Sequence, residues 1–163
     1  MSDTVISHDS ETPANGQQVF TACAFIHHNF GGKPKVFLAK RAATKKFFPD
    51  VYELPGGHID YGETMEGGLR REIHEELHKA VVIGDPFAAF TYLNPIKGSH
   101  SIEVIYFAQF AGAIDDIQLN PEDHSECGWF AEDEIERLLG EHTDELPFVK
   151  KGFALLGGAR PQF

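Results

Sequence analysis

Apolar side chains recur at Met65, Leu69, Ile73 and Leu77, one every fourth residue, a spacing that predicts a helix with one stripe turned inward. Elsewhere the pattern is that of strands. Gln17 to His28 (QQVFTACAFIHH) is rich in β-formers and reads as a first strand buried in its middle. The glycine-rich Asn29 to Lys33 predicts a hairpin turn, and Val36 to Arg41 the return strand. Val51 to Leu54 reads as a short strand broken by Pro55-Gly56-Gly57, and Val81–Ile83 and Phe87–Leu93 as two segments broken by Gly84-Asp85-Pro86. Ile102 to Phe110 is apolar on both alternating faces apart from Glu103 and Gln109, which places it mid-sheet with a layer on each side. Ile135, Leu138 and Leu139 form an amphipathic turn ending at Gly140. Val149, Phe153 and Leu156 mark a last helix, opened near Pro147 and stopped by Gly157-Gly158. The expected class is α/β (α+β): a mixed β-sheet sandwiched between helices.

Residues 1–15 are polar and without period, so a mobile tail is expected there, followed by a single domain over 16–163. No repeat breaks that span, and 163 residues suit one core of ordinary size. No apolar run approaches the roughly 20 residues that cross a bilayer. The N-terminus lacks a basic start and apolar stretch, so the expected location is the cytoplasm. Cys23 and Cys127 then read as reduced, buried thiols.

The net charge of −11 argues against a nucleic-acid duplex or a membrane surface as partner. The basic residues are nonetheless uneven. Lys33, Lys35, Lys40, Arg41, Lys45 and Lys46 hold six of the chain's 14 Lys and Arg, and form either a phosphate-facing rim or a solvated loop. Phe47-Phe48 in the same loop would flank a base or, more commonly, pack into the core.

The chemistry is densest on the helix. At roughly 100° per residue, Glu72, Glu75 and Glu76 share one arc beside the apolar stripe. Three carboxylates at one point repel unless a cation sits among them. A hard divalent ion with oxygen ligands, Mg²⁺ or Mn²⁺, suits that set better than Zn²⁺. Thr64 is placed to cap the helix, with Glu66 favourable in its first turn. Glu63 reads as a residue holding the preceding loop to the helix, and Gly67 and Gly68 as sites of close packing against the sheet.

Gly57, Glu63, Arg71, Glu72, Ile73, Glu75 and Glu76 stand at the fixed spacings of the Nudix hydrolase signature, and Leu54-Pro55-Gly56 resembles its lead-in. The chain departs from the pattern at its end, where His78 replaces a glycine and Lys79 an apolar residue. Glycine there serves as a left-handed cap, so the departure bears on the helix exit and not on the carboxylates.

The resemblance implies a Nudix-type α/β/α sandwich and metal-dependent hydrolysis of the diphosphate linkage in a small nucleoside diphosphate derivative. Glu72, Glu75 and Glu76, with a carbonyl at Gly56, would hold Mg²⁺ or Mn²⁺, and Arg71 would orient a neighbouring carboxylate. Arg41 matches a substrate-contacting arginine of the family. For the base that takes a proton from water, Glu72 ranks ahead of Asp123 and Glu126 in the acidic loop before Trp129. Homodimers occur in the family. Triphosphates, ADP-ribose, nucleotide sugars and dinucleoside polyphosphates all stay open as substrates. The rival reading is a catalytically silent Nudix-like sensor, against which the complete set of Arg71, Glu72, Glu75 and Glu76 speaks.

Overall fold

The fold is built on a long first strand whose two faces bury different layers. The computed structural model describes residues 11–140 and 143–160. Strand β1 (Gln18–Phe30) turns at Gly31-Gly32 into β2 (Lys33–Arg41). Ala22, Ala24 and Ile26 of β1 face one core, together with Phe37 and Ala39 of β2. Cys23 and Phe25 face the other, with Val36 and Leu38. This is the period-two alternation of a strand covered on both sides.

Helix α1 (Met65–Leu77) closes the first core with Leu69, Ile73 and Leu77, all fully buried. Helices α2 (Ile135–Leu139) and α3 (Leu146–Leu156) close the second with Ile135, Leu139, Val149 and Phe153. The mixed sheet between helices is therefore present as expected. No helix among the described residues is long and apolar enough to cross a membrane.

Among the described residues the sheet has seven strands. Short β3 (Tyr52–Glu53) and β4 (Gly56–His58) precede α1, and β5 (Val81–Asn94), β6 (Ser99–Phe110) and β7 (His124–Phe130) follow it. The order is β3-β2-β1-β6-β5, with β4 on β1 and β7 on β2. Strand β6 runs parallel to β1 from Gln18↔His100 to Ile26↔Ala108 and antiparallel to β5, which puts it mid-sheet as its two apolar faces predict.

The strands β1 and β2 pair only near their turn, from His27↔Val36 to Phe30↔Lys33. Beyond it they part like a fork. β1 takes β4 and β6 as neighbours, and β2 takes β3 and β7. Leu54-Pro55 crosses between the prongs, where Pro55 O accepts from Ala24 N at 2.9 Å.

The structure corrects the expected pattern at several places. Pro55-Gly56-Gly57 does not simply break a strand: Gly56–His58 pairs antiparallel with Thr21–Cys23. The break expected at Gly84-Asp85-Pro86 is a register shift inside one strand, β5, which tolerates a proline because it lies at the sheet edge. Of the expected tail, residues 1–10 lie outside the described residues. Residues 11–15 include a buried Ala14 whose N–H donates to Lys97 O at 2.7 Å, so that end of the stretch is tied down. Cys23 is buried and Cys127 half-buried, both as free thiols.

Candidate active site

A cleft of about 180 Å³ opens where the two prongs part. Thr21 and Cys23 of β1, Glu103 of β6, Arg41 of β2 and Glu53 of β3 line it. Gly56–His58 and the helix residues Glu72 and Glu76 stand along one side.

Helix α1 is set by its ends. Thr64 Oγ1 accepts from Gly67 N at 3.0 Å, the expected N-cap. His78 takes the left-handed cap conformation, φ 53° and ψ 40°, and donates its N–H to His74 O. Its ring Nδ1 also lies 2.7 Å from Gln118 O, so a histidine does the work of the missing glycine. Of the two helix glycines, neither packs on the sheet as expected. A Cβ on Gly67 would meet the Thr64 cap oxygen at 2.8 Å, and one on Gly68 would meet Ile59 Cδ1 at 2.6 Å. The close packing is against the loop before the helix.

Arg71 ties that loop to the helix. Its Nε and Nη2 donate to the two Glu63 oxygens at 2.8 Å each, a bidentate pair. Nη2 also reaches His58 O at 3.0 Å and Asp60 Oδ1 at 3.3 Å, while Nη1 reaches Glu72 Oε1 at 3.1 Å. Glu63 is thus a loop anchor, as its place at the helix entrance suggests, and Arg71 orients Glu72 directly.

The three helix carboxylates do not share one fate. Glu72 and Glu76 are buried and line the cleft. Glu75 is exposed, accepts from Arg71 Nη1 at 3.3 Å, and is not among the lining residues. The expected convergence of all three therefore holds for two. Burial pushes the Glu72 carboxyl up to about 7, Arg71 opposing the rise and Glu75 and Asp60 adding to it. Burial also holds Glu76 well above the usual carboxylate range, helped by Glu53 and Glu72 and opposed by the Gly56 N–H, which donates to Oε2 at 3.2 Å.

Glycine is obligatory at the turn beneath them. Gly56 has φ +147°, and a Cβ there would lie 2.1 Å from Ala22 O. Beside it, a Cβ on Gly57 would lie 2.6 Å from Glu72 Cδ.

Also in the lining, Arg41 donates from Nη1 to both Glu53 oxygens, at 3.3 and 3.1 Å, and from Nε to Phe47 O at 2.8 Å. His124 Nε2 lies 2.9 Å from Glu53 Oε1. Asp123 lines the cleft but is paired with Lys45 Nζ at 3.1 Å and accepts from Asn120 Nδ2 at 3.1 Å. Glu126 lies outside the cleft lining, where Tyr52 OH donates to it at 2.9 Å and Lys40 Nζ stands at 3.8 Å. Of the basic cluster only Arg41 and Lys45 reach the cleft lining, so the rim is two residues and not six. Phe47 and Phe48 are half-buried in that lining and not in the core, with the Phe47 ring at 14° to that of Tyr92.

Sequence reasoning missed the inner end of the cleft. Donor atoms of Cys23, Glu103 and Glu145 lie within 4.8 Å of one another. Cys23 Sγ donates to Glu103 Oε1 at 3.1 Å and Thr21 Oγ1 to the same oxygen at 3.4 Å. Burial pushes Glu103 up to about 7, and burial together with the Glu103 charge raises Glu145. Glu103 did carry a signal, as one of only two polar interruptions in an apolar strand. Glu145 carried none, because its approach to Glu103 is purely tertiary.

Residues 19–151 match the family model for the NUDIX domain. A nucleoside triphosphatase, NudI, of Enterobacter sp. (strain 638) is 31% identical over 139 residues, covering 80% of this chain and 94% of its own. Among solved structures, a Caenorhabditis elegans Ap4A hydrolase in binary complex superposes with a TM-score of 0.72 at 23% identity, covering 86% of this chain and 99% of that one. The Nudix domain of Shewanella oneidensis NrtR, solved with ADP ribose, does so with a TM-score of 0.68 at 19% identity, covering 85% and 88%. The chain belongs to the Nudix hydrolase family of pyrophosphohydrolases.

Enzymes of this family generally use a divalent metal ion, and the residues present fit one. Glu72 and Glu76 offer oxygen donors only, the preference of a hard cation. Both are held toward their protonated forms by burial without enough positive charge nearby, which is the deficit a divalent ion would remove.

Proposed function

We propose that the chain hydrolyses the diphosphate linkage of a nucleoside diphosphate derivative, with nucleoside triphosphates as the first class to test. The observation that carries this reading is the pair of buried carboxylates, Glu72 and Glu76, lining one cleft together with Arg41 and Lys45. Carboxylates together with two cations, Arg41 held by Glu53 and Lys45 by Asp123, suit a polyanion that arrives with a divalent cation. The likeness to a nucleoside triphosphatase over 94% of that protein's length favours triphosphates over the other candidates.

The roles follow from contacts. Glu72 and Glu76, with the backbone at Gly56, would hold Mg²⁺ or Mn²⁺, and the exposed Glu75 would join from the outer side. When bound, such an ion neutralises phosphate charge and makes water a stronger nucleophile. Arg71 fixes the orientation of Glu72 through its 3.1 Å bond. Glu72, oriented by Arg71 and lining the cleft, is the first choice for the group that accepts a proton from water. Asp123 comes second because Lys45 engages it, and Glu126 last because it lies outside the cleft lining. Arg41 and Lys45 would meet the phosphates, and the nearly parallel Phe47 and Tyr92 rings offer an apolar flank for a base.

The test is product release from a panel of nucleoside triphosphates, ADP-ribose, nucleotide sugars and dinucleoside polyphosphates, with and without Mg²⁺ or Mn²⁺. Metal-dependent pyrophosphate release from triphosphates is the expected result. Two monophosphates from ADP-ribose alone would move the substrate class. No turnover of any member, with metal binding demonstrated, would defeat the hydrolase reading.

A further inference from the structure

We infer that Glu53 and His124 are positioning residues that aim the Arg41 guanidinium at the substrate's phosphates. The inference rests on the reading of Arg41 as a phosphate contact. The three side chains form one relay across three strands. His124 Nε2 meets Glu53 Oε1 at 2.9 Å, and Arg41 Nη1 meets the same carboxylate at 3.1 and 3.3 Å. Arg41 Nε to Phe47 O, at 2.8 Å, fixes the plane of the guanidinium from its other edge.

The backbone is irregular in the way this relay requires. On β2 and β7, Lys40 pairs with Glu126, but the next residue, Arg41, pairs with His124, leaving Ser125 as an extra residue. Alternation along an even strand would turn His124 to the same face as Glu126, beside Lys40. The bulge at Ser125 moves it to the face of Arg41, which Glu53 shares through its pairing with Ala39 two residues back. Bulges of this kind re-aim a side chain next to a site.

The His124 ring has no other evident purpose. It is buried at 2% exposure, Glu53 is its one hydrogen-bond partner among the described residues, and its Nδ1 has none. A buried imidazole kept at that cost points to its effect on Glu53. The fields of Arg41 and His124 outweigh burial and hold Glu53 below the usual carboxylate range, so it meets Arg41 as an anion. Arg41 in turn lies within reach of the field of Glu76 and lines the same cleft.

The test is a double-mutant cycle on binding of inorganic pyrophosphate to the Mg²⁺-loaded full chain, measured by calorimetry, with KM for the turned-over nucleotide beside it. Arg41→Lys, His124→Gln and Glu53→Gln are each expected to weaken pyrophosphate binding by about 5- to 30-fold and to raise KM more than they lower kcat. His124→Gln placed on Arg41→Lys is expected to add less than about 2-fold, since the relay acts only through the arginine. Unchanged binding in both His124→Gln and Glu53→Gln would overturn the inference, as would equal losses in the two backgrounds. Arg41→Lys without effect would remove its premise. Wild-type turnover in the nucleotide panel is read separately, so failure of the relay is told apart from failure of the hydrolase reading. If His124→Gln does not fold, Glu53→Gln carries the cycle by itself.

Discussion

The Glu72 carboxyl occupies the space that a side chain on Gly57 would need, with a Cβ there only 2.6 Å from Glu72 Cδ. The glycine of the turn and the glutamate of the helix are thus one packing unit. Gly57→Ala is expected to push Glu72 out of place and lower kcat about 10²-fold, because small displacements of a reacting group are costly. The atoms in the way are the far end of the Glu72 side chain, which can swing aside, so stability should change little. Steady-state kinetics and a denaturant melt check both; wild-type kcat would show that Glu72 has no part in the reaction.

Replacing Glu76 by Gln is expected to abolish metal-dependent turnover, by about 10²-fold or more, and leave the fold intact. Burial disfavours the charged form of this side chain, so the metal-free variant should melt no lower than wild type near neutral pH. Mg²⁺ should raise the wild-type melting temperature and leave that of the variant nearly unmoved. Equal Mg²⁺ shifts in both would take Glu76 out of the metal site.

The inner acid Glu103 sets a pH dependence that needs no metal. Its folded value of about 7 lies above the ordinary 4.5, so the folded state binds the extra proton in that window. Stability from this group is complete below about pH 4.5 and lost as pH rises toward 7. Glu103→Gln should flatten that part of the stability curve. Parallel curves for variant and wild type would refute it.

At the helix exit, His78 holds a left-handed conformation that costs a side-chain-bearing residue about 1 kcal/mol. Against that stands its exposed 2.7 Å contact to Gln118 O, worth about 0.5 kcal/mol or more. His78→Gly should therefore stabilise slightly, raising the melting temperature by about 1–3 °C, with activity unchanged. A loss of stability would mean that the Gln118 contact outweighs the strain, and a loss of activity that the cap reaches the site.

What could be read along the chain was what depends on near neighbours. Helix α1, its Thr64 cap and its left-handed end at residue 78 follow from spacings of three or four residues, which fix a helix wherever it docks. The mid-sheet place of β6 followed from apolar residues on both its faces. Even the unequal fate of the carboxylates has a local root: at roughly 100° per residue Glu76 falls within the Met65–Leu77 stripe, Glu72 at its edge and Glu75 about 60° beyond.

The sequence by itself therefore determined most of the elements, the carboxylate-bearing helix with its glycine turn, and the family. Only the tertiary structure decided how the cleft is furnished. It parted β1 from β2 to open the cleft, turned His124 onto the face of Arg41 through one extra residue, and brought Glu145 to Glu103 from the far end of the chain. These placements rest on strand register and on the docking of α3. Register follows from the whole set of pairings, and one residue of slip reverses every side chain after it, so no short stretch of sequence carries that information.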